Sequence, residues 1–295
     1  MMAEERIRKI RSIEITAKKI SEGVISGFYT TAFKGRGMDF EEVREYQPGD
    51  DVRRIHWDVT ARLGTPYVKL FTEERDQTIL LVVDVSASGV LGSTEQSKRE
   101  LAAELACTLA LSALQHNDNI GLLLYTDEVE KFIPPKKGRS HIFHLVHQIL
   151  YFQPKHTNTR LAKALSYLNR IFHHRSIVFI LSDFIDEDFE TELKLTARRH
   201  DVIAVCIDDP REYELPSVGW IALEDAETGE TIEINTRDSK SRRAFAELAQ
   251  ERVAERKNLF KKCRIDFLRF MTGAPFLPIL KRFFEARACA RVFHG

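Results

Sequence analysis

Residues 78–89 have the sequence TILLVVDVSASG, and this stretch decides the fold. Its first six residues are apolar or β-branched, which is typical of a buried strand, and the strand ends at Asp84. Oxygen-bearing side chains then occupy alternate positions, at Asp84, Ser86 and Ser88. A buried strand that runs into such a loop predicts a parallel sheet with a polar site at the carboxyl end of this strand.

Apolar strands alternate with helices along the rest of the chain. The pattern predicts strands at 120–125, 129–133, 177–181, 202–207 and 265–270, and helices at 98–116, 140–151, 160–172, 187–199, 239–262 and 276–287. Such alternation is typical of an α/β fold with a doubly wound, mostly parallel sheet that is covered by helices on both faces. A further pair of strands, at 220–223 and 231–234, predicts an inserted hairpin near 215–237.

The pattern changes at residue 78. Residues 4–22 predict a surface helix docked on the rest of the protein, because four glutamates interrupt its positive face. Residues 23–77 are richer in Gly, Thr, Asp and aromatic residues, which indicates short strands and turns. We therefore predict two units: an N-terminal helix and strand segment over 1–77, and one domain over 78–290 that contains the hairpin.

The composition is that of an ordinary globular protein, because 43% of the 295 residues are hydrophobic and 30% are charged. Apolar runs are far shorter than the roughly 20 residues that span a bilayer, and the N-terminus lacks the apolar region of a secretion signal. We therefore expect a cytoplasmic protein without a membrane span. The cysteines lie far apart, which favours reduced, buried thiols over disulfides or a zinc site: Cys107, Cys206, Cys263 and Cys289.

The charge is balanced overall but uneven along the chain. Lys and Arg number 44, as do Asp and Glu. Residues 78–237 hold 24 acidic and 16 basic residues, whereas residues 238–295 hold 14 basic and 6 acidic ones. Nucleic-acid binding is an alternative function that would use this basic end and a few N-terminal residues: Lys34, Arg36, Arg53, Arg54 and Trp57. The overall balance argues against it, and we expect no nucleic-acid partner.

Three separate loops bring oxygen atoms to the carboxyl edge of the predicted sheet. The loop after the first strand, the loop after the strand at 177–181 and the loop before the helix at 160–172 supply five side chains: Asp84, Ser86, Ser88, Asp183 and Thr159. Taken alone, the Asp84 loop would equally fit a turn or a helix cap, and Asp183 would equally fit a polar strand end. Thr159 alone would fit a helix cap better than a ligand. Together they form a set of carboxylates and hydroxyls that suits a hard divalent cation.

These five positions resemble the metal-ion-dependent adhesion site of von Willebrand factor A domains, whose order of strands and helices is similar too. Thr159 is preferred over Thr157 because the apolar residues at 161, 164 and 165 then match the apolar positions of that family's next helix. The resemblance implies a von Willebrand A-like (Rossmann-like) fold. It also implies that the five residues bind Mg²⁺, or else Mn²⁺ or Ca²⁺.

The stretch Val43–Asp76, VREYQPGDDVRRIHWDVTARLGTPYVKLFTEERD, is similar to the signature of the bacterial family called domain of unknown function 58. That family places such a segment just before a von Willebrand A-like domain, and the resemblance covers most of residues 27–290. The site loop of the family often has Met after its second Ser, where this chain has Gly89. This difference affects packing more than coordination.

The two resemblances imply a non-catalytic protein that binds other proteins through a metal ion. Magnesium prefers six oxygen ligands, and a site with only two carboxylates leaves a position that an Asp or Glu of a protein partner can occupy. The resemblance further implies an association with MoxR-type AAA+ ATPases, in the assembly or maturation of other complexes. We expect no enzymatic activity.

An enzyme is the main alternative. A metal-dependent phosphohydrolase of the haloacid dehalogenase type would need a second Asp two residues after Asp84, but position 86 is Ser. The chain has neither a GxxxxGK loop nor a GxSxG elbow. His141, His144 and His147 have helical spacing, but apolar residues separate them. They favour an exposed polar helix face over a zinc site.

Within the signature, residues 47–50 predict a turn. The residues that follow either brace the N-terminal segment or form a docking surface: Arg53, Arg54, His56, Trp57 and Arg62. Bracing is the preferred interpretation, because an aromatic side chain as large as Trp57 usually packs against other residues.

Overall fold

The computed structural model describes residues 2–21, 29, 32–33, 42–50, 52, 55–70, 77–90, 92–93, 96–186, 188–224 and 231–293. Its helices and strands follow in chain order: α1 (Met2–Ile20), β1 (Glu42–Glu45), α2 (Trp57–Leu63), β2 (Tyr67–Leu70), β3 (Thr78–Asp84), α3 (Lys98–Gln115), β4 (Asn119–Tyr125), β5 (Val129–Lys136), α4 (Arg139–Tyr151), α5 (Leu161–Ile171), β6 (Ile177–Ser182), α6 (Glu190–Arg199), β7 (Asp201–Asp208), β8 (Trp220–Glu224), β9 (Thr231–Asn235), α7 (Ser239–Lys262), β10 (Asp266–Met271) and α8 (Leu277–Phe293).

The central sheet has six strands in the order β10-β7-β6-β3-β4-β5. Neighbouring strands are parallel, except that the edge strand β5 runs antiparallel to β4. The order extends from β3 in both directions, so the winding reverses between β3 and β6, as in doubly wound folds. The predicted fold class, with its mostly parallel sheet, is therefore confirmed.

Helices cover both faces of the sheet. Side chains of β3 alternate between the faces: Leu81 belongs to the hydrophobic cluster with α1, α3, α4 and α8, and Val82 to the cluster with α5, α6 and α7. Because both faces are buried, β3 and β6 are continuous apolar runs rather than alternating ones. Helix α3 is apolar around most of its circumference and lies buried under the sheet, as its sequence predicts.

The N-terminal helix α1 docks on α3 and α4. Ile13 and Ala17 join the same hydrophobic cluster as β3 and α3, and Glu14 pairs with Arg139 of α4. The prediction of a docked helix is thus confirmed. The boundary at residue 77 stays a prediction, although the first helix shares the core of the larger unit.

Two small antiparallel sheets lie outside the central one. Strands β8 and β9 form the predicted inserted hairpin, and the residues that join them fall outside the described residues. Strands β1 and β2 pair within the signature segment, where Asp50 accepts two hydrogen bonds from Arg44, of 2.9 and 2.7 Å. The backbone N–H of Asp50 also donates to the carbonyl of Gln47, which closes the predicted turn.

Some predictions about single residues are wrong. The side chain of Trp57 is 68% exposed, so it does not brace the segment by packing. Its helix, α2, has only seven residues and none of them is buried. Cys107 and Cys206 are buried as expected and all four thiols are free, but Cys263 is half-buried and Cys289 is exposed. None of the described helices is both long and apolar enough to cross a bilayer.

Gly121 in β4 is a position where the fold has no room for a side chain. A Cβ atom there would lie 2.9 Å from Cγ of Pro135 and 3.0 Å from the carbonyl oxygen of Ile133. We expect Gly121→Ala to lower the free energy of unfolding by about 2 kcal/mol, measured by urea denaturation. Gly89→Ala is the matched control, because its nearest atom would be 3.9 Å away. Equal losses for the two variants would contradict the prediction.

Candidate functional site

The candidate site lies where the winding of the sheet reverses, which is the usual ligand position in doubly wound sheets. Asp84 is the last residue of β3 and Ser182 is the last residue of the neighbouring strand β6. The hydroxyl of Ser182 donates to Oδ2 of Asp84 at 3.0 Å, and the backbone N–H of Ser86 donates to Oδ1 at 2.9 Å. Two strand ends therefore fix the orientation of one carboxylate.

The loop after β3 turns through a short 3-10 helix, Ala87–Val90, and brings two hydroxyls together. The Oγ atoms of Ser86 and Ser88 lie 3.1 Å apart. The backbone N–H of Ala87 donates to the carbonyl of Thr157 at 3.2 Å, which fastens the third loop to the first. Of the two alternatives in that loop, Thr159 is buried and Thr157 is exposed.

Asp183, directly after β6, is buried in an ion-pair cluster that the sequence did not predict. Its Oδ2 lies 3.2 Å from Nζ of Lys98, at the start of α3, and Lys98 also contacts the carboxylate of Glu212. Lys98 is only 4% exposed. We call Lys98, Asp183 and Glu212 the buried triad.

The two predicted carboxylates interact electrostatically. Burial and the negative charge of Asp183 raise the pKa of Asp84 to about 7, although hydrogen bonds from Ser86 and Ser182 oppose the shift. Burial disfavours the charge on Lys98, but Asp183 and Glu212 outweigh it and raise the pKa of the ammonium above its usual value. The two carboxylates would attract an added positive charge, whereas Lys98 and Arg99, which line the same cavity, would repel it.

The chemistry of these donors fits a small, hard cation. Asp84, Ser88 and Asp183 line one cavity of about 20 Å³, which is about the space of one ion or water molecule. Carboxylate and hydroxyl oxygens are the ligands that Mg²⁺ prefers. Within the described part of the chain, no three His, Cys, Asp or Glu side chains form a cluster suited to a metal. An ion in this cavity would therefore need hydroxyl ligands as well as the two carboxylates. Of the three predicted hydroxyls, Ser88 lines the cavity, whereas Ser86 and Thr159 do not.

Two arginines hold the loops that carry these side chains. Arg99 donates to the carbonyls of Val85 and Phe152, at 2.7 and 3.3 Å. Arg256 of α7 donates to the carbonyl of Asp183, to the carboxylate of Asp208 at 3.3 Å and to the hydroxyl of Tyr213 at 2.7 Å. The long helix α7 is thereby tied to the ends of β6 and β7.

A larger cleft of about 570 Å³ adjoins the site along α7. Its wall contains apolar and aromatic side chains, two arginines and one member of the buried triad: Phe184, Ile185, Phe189, Arg252, Arg256 and Glu212. The histidines of α4 lie elsewhere. His144 is exposed, and Nε2 of His141 lies 2.8 Å from the carbonyl of Ile120.

Comparison with known proteins identifies the family of this chain. The sequence model of the family described as "Protein of unknown function DUF58" matches residues 42–255. The chain belongs to this family. An uncharacterized protein of Mycobacterium tuberculosis is 33% identical over 281 residues, which cover 94% of this chain and 88% of the relative. An uncharacterized protein of Mycobacterium bovis gives the same values. The predicted membership of the DUF58 family is confirmed.

The chain is also similar to solved structures. The conserved hypothetical protein BatB from Bacteroides thetaiotaomicron has a TM-score of 0.45 at 14% identity, covering 72% of this chain and 99% of that one. The SpRpn10 VWA domain has a TM-score of 0.38 at 10% identity, covering 69% of this chain and 93% of that one. The order and direction of strands in the central sheet agree with the predicted von Willebrand A-like fold.

Sequence reasoning missed four residues that shape the site: Ser182, Lys98, Glu212 and Arg256. Ser182 had a signal, because it directly precedes Asp183 at a strand end. Lys98 had none, since a lysine in the first turn of a helix is ordinarily solvated. Only the tertiary fold brings it to Asp183, 85 residues away.

Proposed function

We propose that this DUF58 protein is a non-catalytic adaptor that binds other proteins through a divalent ion, Mg²⁺ or else Mn²⁺ or Ca²⁺. The observation that supports the proposal best is that Asp84 and Asp183 share one small cavity with the hydroxyl-bearing loop after β3. The ion would be held by Asp84, Ser86, Ser88, Thr159 and Asp183. When bound, it supplies an electrophilic position for a carboxylate of the partner.

The residues of the chain have three tasks in this function. Ser86 and Ser182 hold the Asp84 carboxylate in one orientation by donating a hydrogen bond to each oxygen. The 3-10 helix Ala87–Val90 keeps the hydroxyls of Ser86 and Ser88 within 3.1 Å of each other. Arg99 prevents the loop from moving away, since it holds the carbonyl of Val85. Such rigid support is what a site for one small ion requires.

We further propose that the partner is a MoxR-type AAA+ ATPase in the cytoplasm, and that the pair assists the assembly or maturation of protein complexes. The family resemblance supports this partner. The partner would contribute an Asp or Glu to the ion, and the cleft along α7 provides room beside it.

Calorimetric titration of Mg²⁺ and Mn²⁺ is the direct test. We expect the wild-type protein to bind the ion, and Asp84→Ala to lose the binding because it removes a carboxylate ligand. Asp58→Ala on the exposed face of α2 is the matched control and should bind as the wild type does. Equal heats for wild type and Asp84→Ala would contradict the ion site.

Partner binding needs its own measurement. The MoxR-type ATPase of the same organism should bind immobilised protein in Mg²⁺ and dissociate in a chelator, and Asp84→Ala should not bind it. If neither the chelator nor Asp84→Ala weakened the binding, the interaction would not use the ion. Turnover of p-nitrophenyl phosphate by wild type but not by Asp84→Ala would instead favour the phosphohydrolase alternative.

A further inference from the structure

The buried triad places a positive charge where a divalent ion would also bind. Nζ of Lys98 lies 3.2 Å from Oδ2 of Asp183, and Lys98 lines the same cavity as Asp84 and Asp183. The side chain of Lys98 is 5% exposed, so solvent does little to screen its charge. An ion ligated by Asp183 and the ammonium of Lys98 would repel each other strongly at this depth.

Glu212 gives the ammonium a second acceptor outside the ion site. It contacts Lys98 from the short 3-10 helix Pro210–Glu212, and its side chain is 27% exposed. Lys98 can therefore pair with Glu212 alone while the carboxylate of Asp183 turns to an ion.

We propose that Lys98 is an internal counter-cation that competes with the divalent ion for Asp183, and that Glu212 accepts the ammonium when the ion binds. This proposal rests on the ion site of the proposed function and adds its regulation. Lysine neutralises the site in the ion-free protein, so that the protein folds without metal. Ion binding then transfers the ammonium wholly to Glu212.

Glu212 is also connected by hydrogen bonds to the segment that follows the loop of Ser86 and Ser88. Asp209 directly precedes the 3-10 helix that contains Glu212. It accepts a hydrogen bond from the backbone of Ser93 at 2.9 Å. Ser93 follows the loop of Ser86 and Ser88 in the chain. The backbone N–H of Asp209 donates to Glu212 at 2.8 Å, so hydrogen bonds connect Glu212 to the segment after β3.

A double-mutant cycle with Mg²⁺ calorimetry tests the competition. Lys98→Met keeps the length of the side chain without its charge, and we expect it to lower the dissociation constant for Mg²⁺ about ten-fold or more. Glu212→Gln removes the alternative acceptor, so it should raise the dissociation constant about ten-fold. In the Lys98→Met background, Glu212→Gln should change the constant less than two-fold, because its effect acts through Lys98.

The outcomes separate this proposal from the proposed function. If the wild type binds Mg²⁺ but Lys98→Met binds it no more tightly, or if the effects of the two substitutions simply add, the competition is wrong and the ion site stands. If only Lys98→Met binds Mg²⁺, the competition stands and the ion-dependent function of the native chain is wrong. If neither binds, both are wrong. Should Lys98→Met fail to fold by circular dichroism, Glu212→Gln alone still decides, since tighter or unchanged binding overturns the proposal.

Discussion

Asp84→Asn should stabilise the ion-free protein while it abolishes Mg²⁺ binding. Burial and the charge of Asp183 raise the pKa of Asp84 from 3.8 to about 7 in the folded state. Each pH unit of this difference corresponds to about 1.4 kcal/mol, so the neutral amide should raise the free energy of unfolding by up to about 4 kcal/mol at pH 8. The amide oxygen can still accept the hydrogen bond from the backbone of Ser86.

The stability advantage of Asp84→Asn over the wild type should increase as the pH rises. Below about pH 4 the Asp84 carboxyl is protonated in both the folded and the unfolded chain, so wild type and Asp84→Asn should be similar. Between about pH 4 and pH 7 the unfolded chain ionises while the folded protein retains the proton, and the wild type loses stability. The difference in free energy of unfolding between the two proteins should increase from about pH 4 to pH 7 and stay constant above pH 7. Urea denaturation in the presence of a chelator measures it.

Asp209→Asn is the matched control, because it makes the same change at the same edge of the sheet. Asp209 accepts hydrogen bonds from the hydroxyl of Ser93, from the backbones of Ser93 and Arg211, at 2.9 Å each, and from the hydroxyl of Thr272 at 2.8 Å. Burial favours its neutral form, but these donors outweigh burial and lower the pKa. We therefore expect Asp209→Asn to destabilise the protein by about 2 kcal/mol. Destabilisation by both substitutions would show that Asp84 is an ordinary structural carboxylate.

Arg256→Met should lower the free energy of unfolding by about 3 kcal/mol, because it removes the positive charge that pairs with the buried carboxylate of Asp208. Asp208 is 1% exposed and would keep one cationic partner among the described residues, Arg269, while the carbonyl of Asp183 would lose its arginine donor. Hydrogen exchange at residues 184–186 should become faster, since α7 no longer holds this loop.

Arg252→Met tests whether the effect belongs to this position. Arg252 lies one turn earlier on α7, lines the same cleft and is exposed. We expect a change within about 0.5 kcal/mol and unaltered exchange at 184–186. If the two arginine variants behave alike, the helix contributes to stability by general packing and Arg256 does not position Asp183.

Local patterns in the sequence predicted the framework of this protein well. The apolar run of β3 and the alternating oxygens at Asp84, Ser86 and Ser88 are encoded in neighbouring residues, so their strand and loop could be recognised directly. The shared edge of β3 and β6 followed from topology, which places Asp183 beside Asp84. The ion itself stays a prediction.

The features that the sequence does not predict depend on contacts between residues that are far apart in the chain. Lys98 and Glu212 are 114 residues apart, and neither position differs locally from an ordinary solvated residue. The size of Trp57 favours packing, but its seven-residue helix has no buried residue, and Trp57 is 68% exposed. Burial of a large side chain needs a neighbour that the local sequence does not specify.

The antiparallel strand β5 limits how other proteins can approach the sheet. It forms one edge of the sheet and contains Pro134 and Pro135, which have no N–H to offer an incoming strand. Proline at an edge strand discourages the addition of a further strand, and with it the growth of aggregates by continuous sheet extension. Along this edge the two prolines therefore hinder self-association through backbone hydrogen bonds.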